Sequence, residues 1–194
     1  MFTINPFAEL SAFIPPVVMQ TYTFVMLFLV VAGTLFDILH KRSAKYFFAN
    51  WANAKSKGSR PVSGGKMASL AIQTACVEVL ASGEFCTKRR RIAHLLTMYG
   101  FLAYIVTTVM MVSAYPTHEV HTPAVVPLLW HIGALMTCIG GYWFWFFLRV
   151  DVAAEANPWY RLVQADLFVL ALVLTASFAL AWSFFQFLNF NTLE

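Results

Sequence analysis

The positions of the histidines suggest the chemistry that this sequence can perform. Two of the five, His94 and His131, lie inside long apolar stretches, where an ionisable side chain is costly and marks a functional candidate. His40 ends the first apolar stretch, and His118 and His121 lie in a short connection between two others. Imidazoles ligate haem iron, and they gain or lose a proton near neutral pH. The pattern therefore predicts haem ligation or proton transfer inside a membrane.

The two histidines within apolar stretches are expected at different depths. His94 lies near the start of its stretch, whereas His131 lies about seven residues into the next one, which enters from the opposite side. At 1.5 Å per residue, they are separated by half of a roughly 30 Å hydrocarbon core or more, so they cannot ligate the same iron. Two haems are the alternative, with His94 and His40 holding one, and His131 with His118 or His121 holding the other.

Each of these residues also has a structural interpretation. His94 follows the basic cluster Arg89–Arg91, which can pair with haem propionates or can anchor a helix end at the interface. His131 is suited to a hydrogen bond across helices, and His40 to a solvated helix end. The 118–121 segment, His-Glu-Val-His, is a weak signal for a divalent ion and is otherwise a solvated loop.

The elements that must position these residues follow from composition. Of 194 residues, 60% are hydrophobic and 11% charged, whereas soluble domains carry about 25% charged residues. This excludes an ordinary soluble enzyme, a disordered tail and a nucleic-acid-binding module. Residues 16–39, 92–114, 124–148 and 167–188 are each long and apolar enough to span a membrane as a helix. We expect an all-α integral membrane protein in which residues 1–194 form a single four-helix transmembrane bundle.

The basic residues predict the orientation of this bundle. Eleven of the 13 lie in the 40–91 loop, and the other two, Arg149 and Arg161, lie between the third and fourth spans. The positive-inside rule places both loops in the cytoplasm and both termini outside, in a multi-pass protein of the inner (cytoplasmic) membrane. Within the large loop, residues 55–66 are expected to be a flexible linker. Residues 67–81 are expected to form a helix in the membrane interface or under the bundle, with a re-entrant segment as the alternative.

Around His94 the sequence resembles a known family. Residues 91–101 read R-x-x-H-x-x-x-x-Y-G-F, a run similar to one in the b-type cytochrome membrane subunits related to respiratory nitrate reductase gamma, heterodisulfide reductase and the quinone-interacting membrane oxidoreductase. Residues 36–40 resemble the end of that family's first helix. Residues 130–134, followed by Gly140 and Gly141, resemble its next helix. Residues 157–160, Asp166 and residues 174–175 resemble the entry to the helix after that.

The resemblance implies a quinone-linked electron-transfer subunit that anchors a soluble iron–sulfur or flavin partner on the cytoplasmic face. His94 and His131 would then be haem ligands, with His40 a weaker candidate. Family members usually have a further C-terminal helix that supplies histidines, whereas this sequence stops soon after residues 189–191. On this resemblance we expect one or both haems to be absent or to be ligated by the outer-loop histidines. A shortened form of this kind is similar to the small membrane anchors of adenylylsulfate reductase.

Two functions from different classes follow. The first is a membrane subunit that carries one or two b-type haems and passes electrons between a cytoplasmic redox enzyme and the quinone pool. Asp37, Tyr99 and His40 are the candidates for hydrogen bonds to the quinone. The second is a non-haem anchor or assembly subunit, which docks a soluble complex, and also membrane lipid, through the basic 40–91 loop. For the first function we expect the chain to be the non-catalytic or quinone-reactive membrane subunit of an oxidoreductase complex.

Overall fold

The computed structural model describes residues 2–40, 43–58, 63–85, 87–149, 160–163 and 166–192, and every regular element in those ranges is a helix. The seven helices are α1 (Pro6–Leu10), α2 (Pro16–His40), α3 (Ser43–Lys57), α4 (Gly64–Thr74), α5 (Lys88–Ala114), α6 (Val125–Trp143) and α7 (Asp166–Thr192). Two of them continue with wider π-helical turns. Residues Ala75–Leu80 extend α4, and residues Phe144–Leu148 extend α6.

Four helical segments are long and apolar enough to cross a membrane, which confirms the four predicted spans. They are Pro16–His40, Lys88–Ala114, Val125–Leu148 and Asp166–Leu188. The main difference from the predicted bounds is at the start of α5, which begins at Lys88 and so includes the whole basic cluster. The end of the molecule at which α5 begins is called the basic end below, and the end that carries α1 and the 115–124 connection is called the opposite end.

The core consists of α5, α6 and α7, with α6 in the middle. Glycines let the α5 and α6 backbones touch: a Cβ atom on Gly100 would lie 2.8 Å from the Gly133 carbonyl oxygen, and one on Gly140 would lie 2.7 Å from the Ala93 carbonyl oxygen. On the α7 side, a Cβ atom on Gly141 would collide with Val173. Small residues at helix interfaces are typical of packing in membranes, where close backbone approach supplies van der Waals contact.

The first span departs from a close-packed four-helix bundle. α2 joins α5 near the opposite end, where Met19 is buried and the Gln20 amide donates a 3.1 Å hydrogen bond to the Val112 carbonyl. From Gly33 to His40 every residue of α2 is exposed, and a Cβ atom on Gly33 would meet nothing within 4 Å. The described bundle is therefore a three-helix core with α2 attached at one end.

A short N-terminal helix covers the opposite end of the core. The Asn5 side-chain oxygen caps α1 by accepting from the Phe7 backbone N–H at 3.0 Å, and its amide donates to the Tyr115 carbonyl at 2.9 Å. The Phe7 ring packs edge-on against Trp130 and Trp182, with centroid distances of 5.9 and 5.7 Å. α1 thus links the chain's start to all three core helices.

The large loop is more helical than the sequence suggested. The predicted helix at 67–81 is confirmed by α4 and its extension, which together span residues 64–80. The predicted linker at 55–66 is wrong over residues 55–57, which form the last turn of α3, and over residues 64–66, which form the first turn of α4. Residues 59–62 lie outside the described part. α3 carries exposed aromatic side chains between lysines, a pattern typical of an interfacial helix: Tyr46, Phe47, Phe48 and Trp51.

Candidate functional site

His94 lies in the second turn of α5, next to the turn that ends the α4 extension. Its Nδ1 atom is 2.9 Å from the Ser82 hydroxyl oxygen, and the Phe85 ring packs against the imidazole at a centroid distance of 5.0 Å. Within the described ranges, Nε2 has no hydrogen-bond partner. The ring is therefore oriented from one side and leaves its second nitrogen available.

The imidazole lines an apolar cavity of about 470 Å³, a size in the range of small-molecule sites. The cavity lies between α5, the α6 extension and α7, and its polar lining groups come from His94, Arg90 and Thr97. The apolar lining comes from these residues: Phe85, Ala93, Met98, Phe101, Gly141, Phe144, Leu148, Phe168, Val169 and Leu172. A largely apolar cavity with a cation and an imidazole at the basic end suits an amphiphile with a polar head.

Side chains of α5 fix the turn that adjoins His94. The Arg91 Nε–H donates to the Ala81 carbonyl at 2.8 Å, and the Tyr99 hydroxyl donates to the Leu80 carbonyl, also at 2.8 Å. Together with the Ser82–His94 contact, these bonds attach residues 80–82 to one face of α5. Two of the residues predicted to contact a cofactor or quinone, Arg91 and Tyr99, therefore hold the protein's own backbone and do not line the cavity.

The basic cluster contributes unequally to the site. Arg90 lines the cavity, whereas Arg89 and Arg91 do not, although all three are exposed. The sequence predicted that the cluster contributes to the site but could not show which of its three arginines does so. The answer depends on which face of the first α5 turn meets α7.

His131 is fully enclosed in the core, on the face of α6 towards α7. Its Nδ1 atom lies 2.6 Å from the Pro127 carbonyl and its Nε2 atom 2.8 Å from the Ser183 hydroxyl. A carbonyl only accepts, so Nδ1 carries a proton and Nε2 of the neutral ring accepts from Ser183. The Trp130 and Phe2 rings pack edge-on against the imidazole. This is the interhelical hydrogen bond that the sequence offered as the structural interpretation.

The remaining predicted residues are separate from these two sites. His40 is exposed and stacks on Phe36 of its own helix, and Asp37 lies on the same exposed final turns of α2. His118 lies 3.3 Å from the Glu9 carboxylate, which ties the 115–124 connection to α1. His121 is exposed in that connection. The structure thus does not bring any of the three histidines into contact with His94 or His131.

His94 and His131 lie at different levels of the core. His94 and Gly141 line the same cavity, and Gly141 follows His131 by ten residues on α6, which corresponds to about 15 Å along the helix. This separation agrees with the expectation that one iron cannot bind both rings.

A haem fits the two positions differently. At His131 the residues do not fit, because both ring nitrogens are hydrogen-bonded and this residue lines neither the cavity at His94 nor the cavity between Phe7 and Trp182. At His94 a ring nitrogen without a partner in the described ranges and an apolar cavity are present, but the cavity lining supplies no second imidazole. The described residues also contain no cluster of three His, Cys, Asp or Glu side chains suited to a metal ion. Haem ligation therefore remains a prediction, with His94 the residue that fits best.

A buried ion pair closes the basic end between α6 and α7. The Arg149 Nε–H donates to the Asp166 carboxylate at 2.9 Å, and the guanidinium lies 4.4 Å from the centre of the Trp145 ring. The same carboxylate accepts from the Val163 backbone N–H at 2.9 Å. The pair fixes the start of α7, and with it the cavity wall that α7 supplies.

Comparison with known proteins finds no family model, no curated protein and no solved structure that matches this chain. The resemblance to the b-type cytochrome subunits therefore rests on its short motifs alone. Part of that motif set, residues 157–159, lies outside the described ranges, as do Lys41 and Arg42 of the basic loop.

Proposed function

We propose that this chain is the quinone-reactive membrane subunit of a redox complex and that it binds the quinone head group at His94. The supporting observation is the apolar cavity at the basic end, with the His94 imidazole and Arg90 in its lining. A quinone has an apolar tail and a head with two carbonyl oxygens, so it needs a cavity of this composition with a hydrogen-bond donor at one end.

The residues of the site suit quinone reduction, which consumes two electrons and two protons per molecule. The reduced carbonyl oxygens gain negative charge before they are protonated, and a guanidinium in the cavity wall stabilises that charge. Arg90 supplies the cation, and His94 supplies a proton-exchanging group next to it. Oxidation of a quinol at the same place uses the same groups in the reverse sense.

The first turn of α5 supports a partner at the same end. Lys88 and Arg89–Arg91 follow one another at the N-terminus of the helix, where the helix dipole already carries partial positive charge. Four cations at this position destabilise the isolated helix end, so an anionic surface that covers them is favoured. We propose that this surface belongs to a cytoplasmic redox partner, which agrees with the positive-inside rule.

Photolabelling tests the quinone site directly. The chain in lipid nanodiscs is irradiated with a photoreactive short-chain quinone, and the modified residues are mapped by mass spectrometry. We expect labelling within residues 93–101 or 141–148, and at least a fivefold loss of label in His94→Leu. His118→Leu is the matched control, since His118 lies at the opposite end in contact with Glu9.

A different labelling pattern contradicts the proposal. Label that persists in His94→Leu, or that maps to the second cavity lined by Phe7, Tyr22 and Trp182, would place the quinone elsewhere or leave it without a specific site.

A non-redox anchor is the second candidate, and the exposed loop helices favour it. α3 and α4 have no buried residue among those whose side chains are described, so both present free faces to a partner or to lipid. An anchor of this kind would keep full occupancy of its complex in His94→Leu and would show no quinone-dependent activity in the unsubstituted protein.

A further inference from the structure

Ser82, which contacts His94 of the candidate site, has an unusual backbone conformation. With φ of +51°, it is the one residue of the described ranges whose φ is positive, although the next residue, Gly83, would adopt that conformation at lower cost. Ser82 is also completely buried, in a loop region where most residues are exposed. Strain of this sort persists where the surrounding structure holds the residue in place, and it is concentrated at functional sites.

One use is local, because the turn ends the α4 extension. The Ser82 backbone N–H donates to the Val79 carbonyl at 3.3 Å, and the Gly83 N–H donates to the Val77 carbonyl at 2.8 Å. A left-handed residue closes many helices in this way, and glycine is the usual choice. Helix closure therefore explains the conformation but does not explain why serine occupies it.

The hydroxyl explains the choice of serine. A buried hydroxyl proton needs an acceptor, and within the described ranges the atom in reach is Nδ1 of His94, at 2.9 Å. If Ser82 donates to Nδ1, the neutral imidazole carries its proton on Nε2. The second nitrogen of a ring that lines the cavity is then a donor, which is what a quinone carbonyl requires.

We infer that Ser82 is a positioning residue for His94, which fixes the ring and its tautomer so that Nε2–H serves as the donor to a bound carbonyl group. This inference rests on the proposed quinone site for its purpose, but the tautomer itself is a property of the chain alone.

The tautomer is measured first, by NMR of the chain with ¹⁵N-labelled histidine in nanodiscs. The neutral His94 ring is expected to show a protonated Nε2 and an unprotonated, hydrogen-bonded Nδ1. A proton on Nδ1 overturns the inference, whatever the quinone does. The ring signals of His94 are assigned by comparison with His94→Gln, whose spectrum lacks them.

Two substitutions then separate the hydroxyl from the backbone. Ser82→Gly removes the hydroxyl and also the strain of the positive φ angle, because glycine adopts this conformation at little cost. Ser82→Ala removes the hydroxyl and keeps the strain. Both are expected to give a mixture of tautomers. Because only rings protonated on Nε2 can donate to the carbonyl, binding of a short-chain quinone then weakens about twofold where the two tautomers are equally populated. Tyr99→Phe is the matched control, because it removes the bond to Leu80 in the same turn and leaves the Ser82–His94 contact intact.

The outcomes distinguish the inference from the proposed function. If Tyr99→Phe changes the tautomer as much as Ser82→Gly, the turn as a whole acts and the serine has no special role. If the tautomer responds as expected but the unsubstituted chain binds no quinone, Ser82 still positions His94 and the proposed function is wrong.

Discussion

At the scale of single residues, the sequence selected His94 and His131 and assigned them similar roles. His94 and His131 were both expected to ligate haem, and the structure places them in opposite environments. Both ring nitrogens of His131 are hydrogen-bonded inside the core. His94 lines a cavity, and its Nε2 atom has no hydrogen-bond partner in the described ranges. The difference depends on Ser183, 52 residues away in sequence, whose position cannot be read from local pattern.

The role of His131 leads to a prediction about stability. If it links α6 to α7, its effect on the free energy of unfolding must depend on Ser183. In a double-mutant cycle with His131→Ala and Ser183→Ala, we expect a coupling of about 0.6 to 1.7 kcal/mol, the range for hydrogen bonds between membrane helices. Reversible unfolding in mixed micelles measures it.

A spectrum of the same variants tests the competing role. Loss of a b-type α-band in dithionite-reduced His131→Ala, with no coupling to Ser183, would restore His131 as a haem ligand and contradict the structural assignment.

At the scale of elements, hydropathy predicted all four spans, since a chain in lipid must satisfy its backbone polar groups within long apolar helices. It did not predict how they pack. In lipid, an apolar side chain gains little from a helix neighbour, so the uniformly apolar α2 carries no signal of its peripheral position.

α3 was missed because its mixed composition resembles a polar loop. The turn at 80–82 was missed because its three bonds to α5 span 10 to 19 residues.

The glycines of the α5–α6 interface give a prediction with an internal control. Gly100→Ala and Gly133→Ala place a methyl group within 3 Å of the facing backbone, so we expect each to destabilise the fold by about 1–3 kcal/mol. Gly33→Ala, on the exposed part of α2, is expected to be tolerated, because its Cβ meets nothing within 4 Å.

The midpoint of thermal unfolding in detergent compares the three glycine variants. Equal stability of all three would mean that α5 and α6 do not meet through these glycines.

At the scale of the whole molecule, the asymmetry of charge predicts how the chain lies in its membrane. The basic loop helices and the start of α5 share one end, and the 115–124 connection, without lysine or arginine, lies at the other. The positive-inside rule therefore predicts opposite accessibility for Ser56, in α3, and Thr117, in the connection.

Single-cysteine labelling checks this orientation. In a cysteine-free background in whole cells, Thr117→Cys is expected to react with a membrane-impermeant maleimide, and Ser56→Cys only after the membrane is opened. The reverse pattern would place the His94 cavity, and with it the proposed quinone site and partner surface, on the outer side.

The run of four cations in the first turn of α5 has a consequence for how the chain responds to its surroundings. Added electrolyte weakens the repulsion among Lys88 and Arg89–Arg91, and so steadies the helix end when nothing covers it. The same electrolyte weakens the attraction between that turn and an acidic surface. The salt concentrations that stabilise this helix end in the isolated chain are therefore those that would dissociate the proposed complex with an acidic partner.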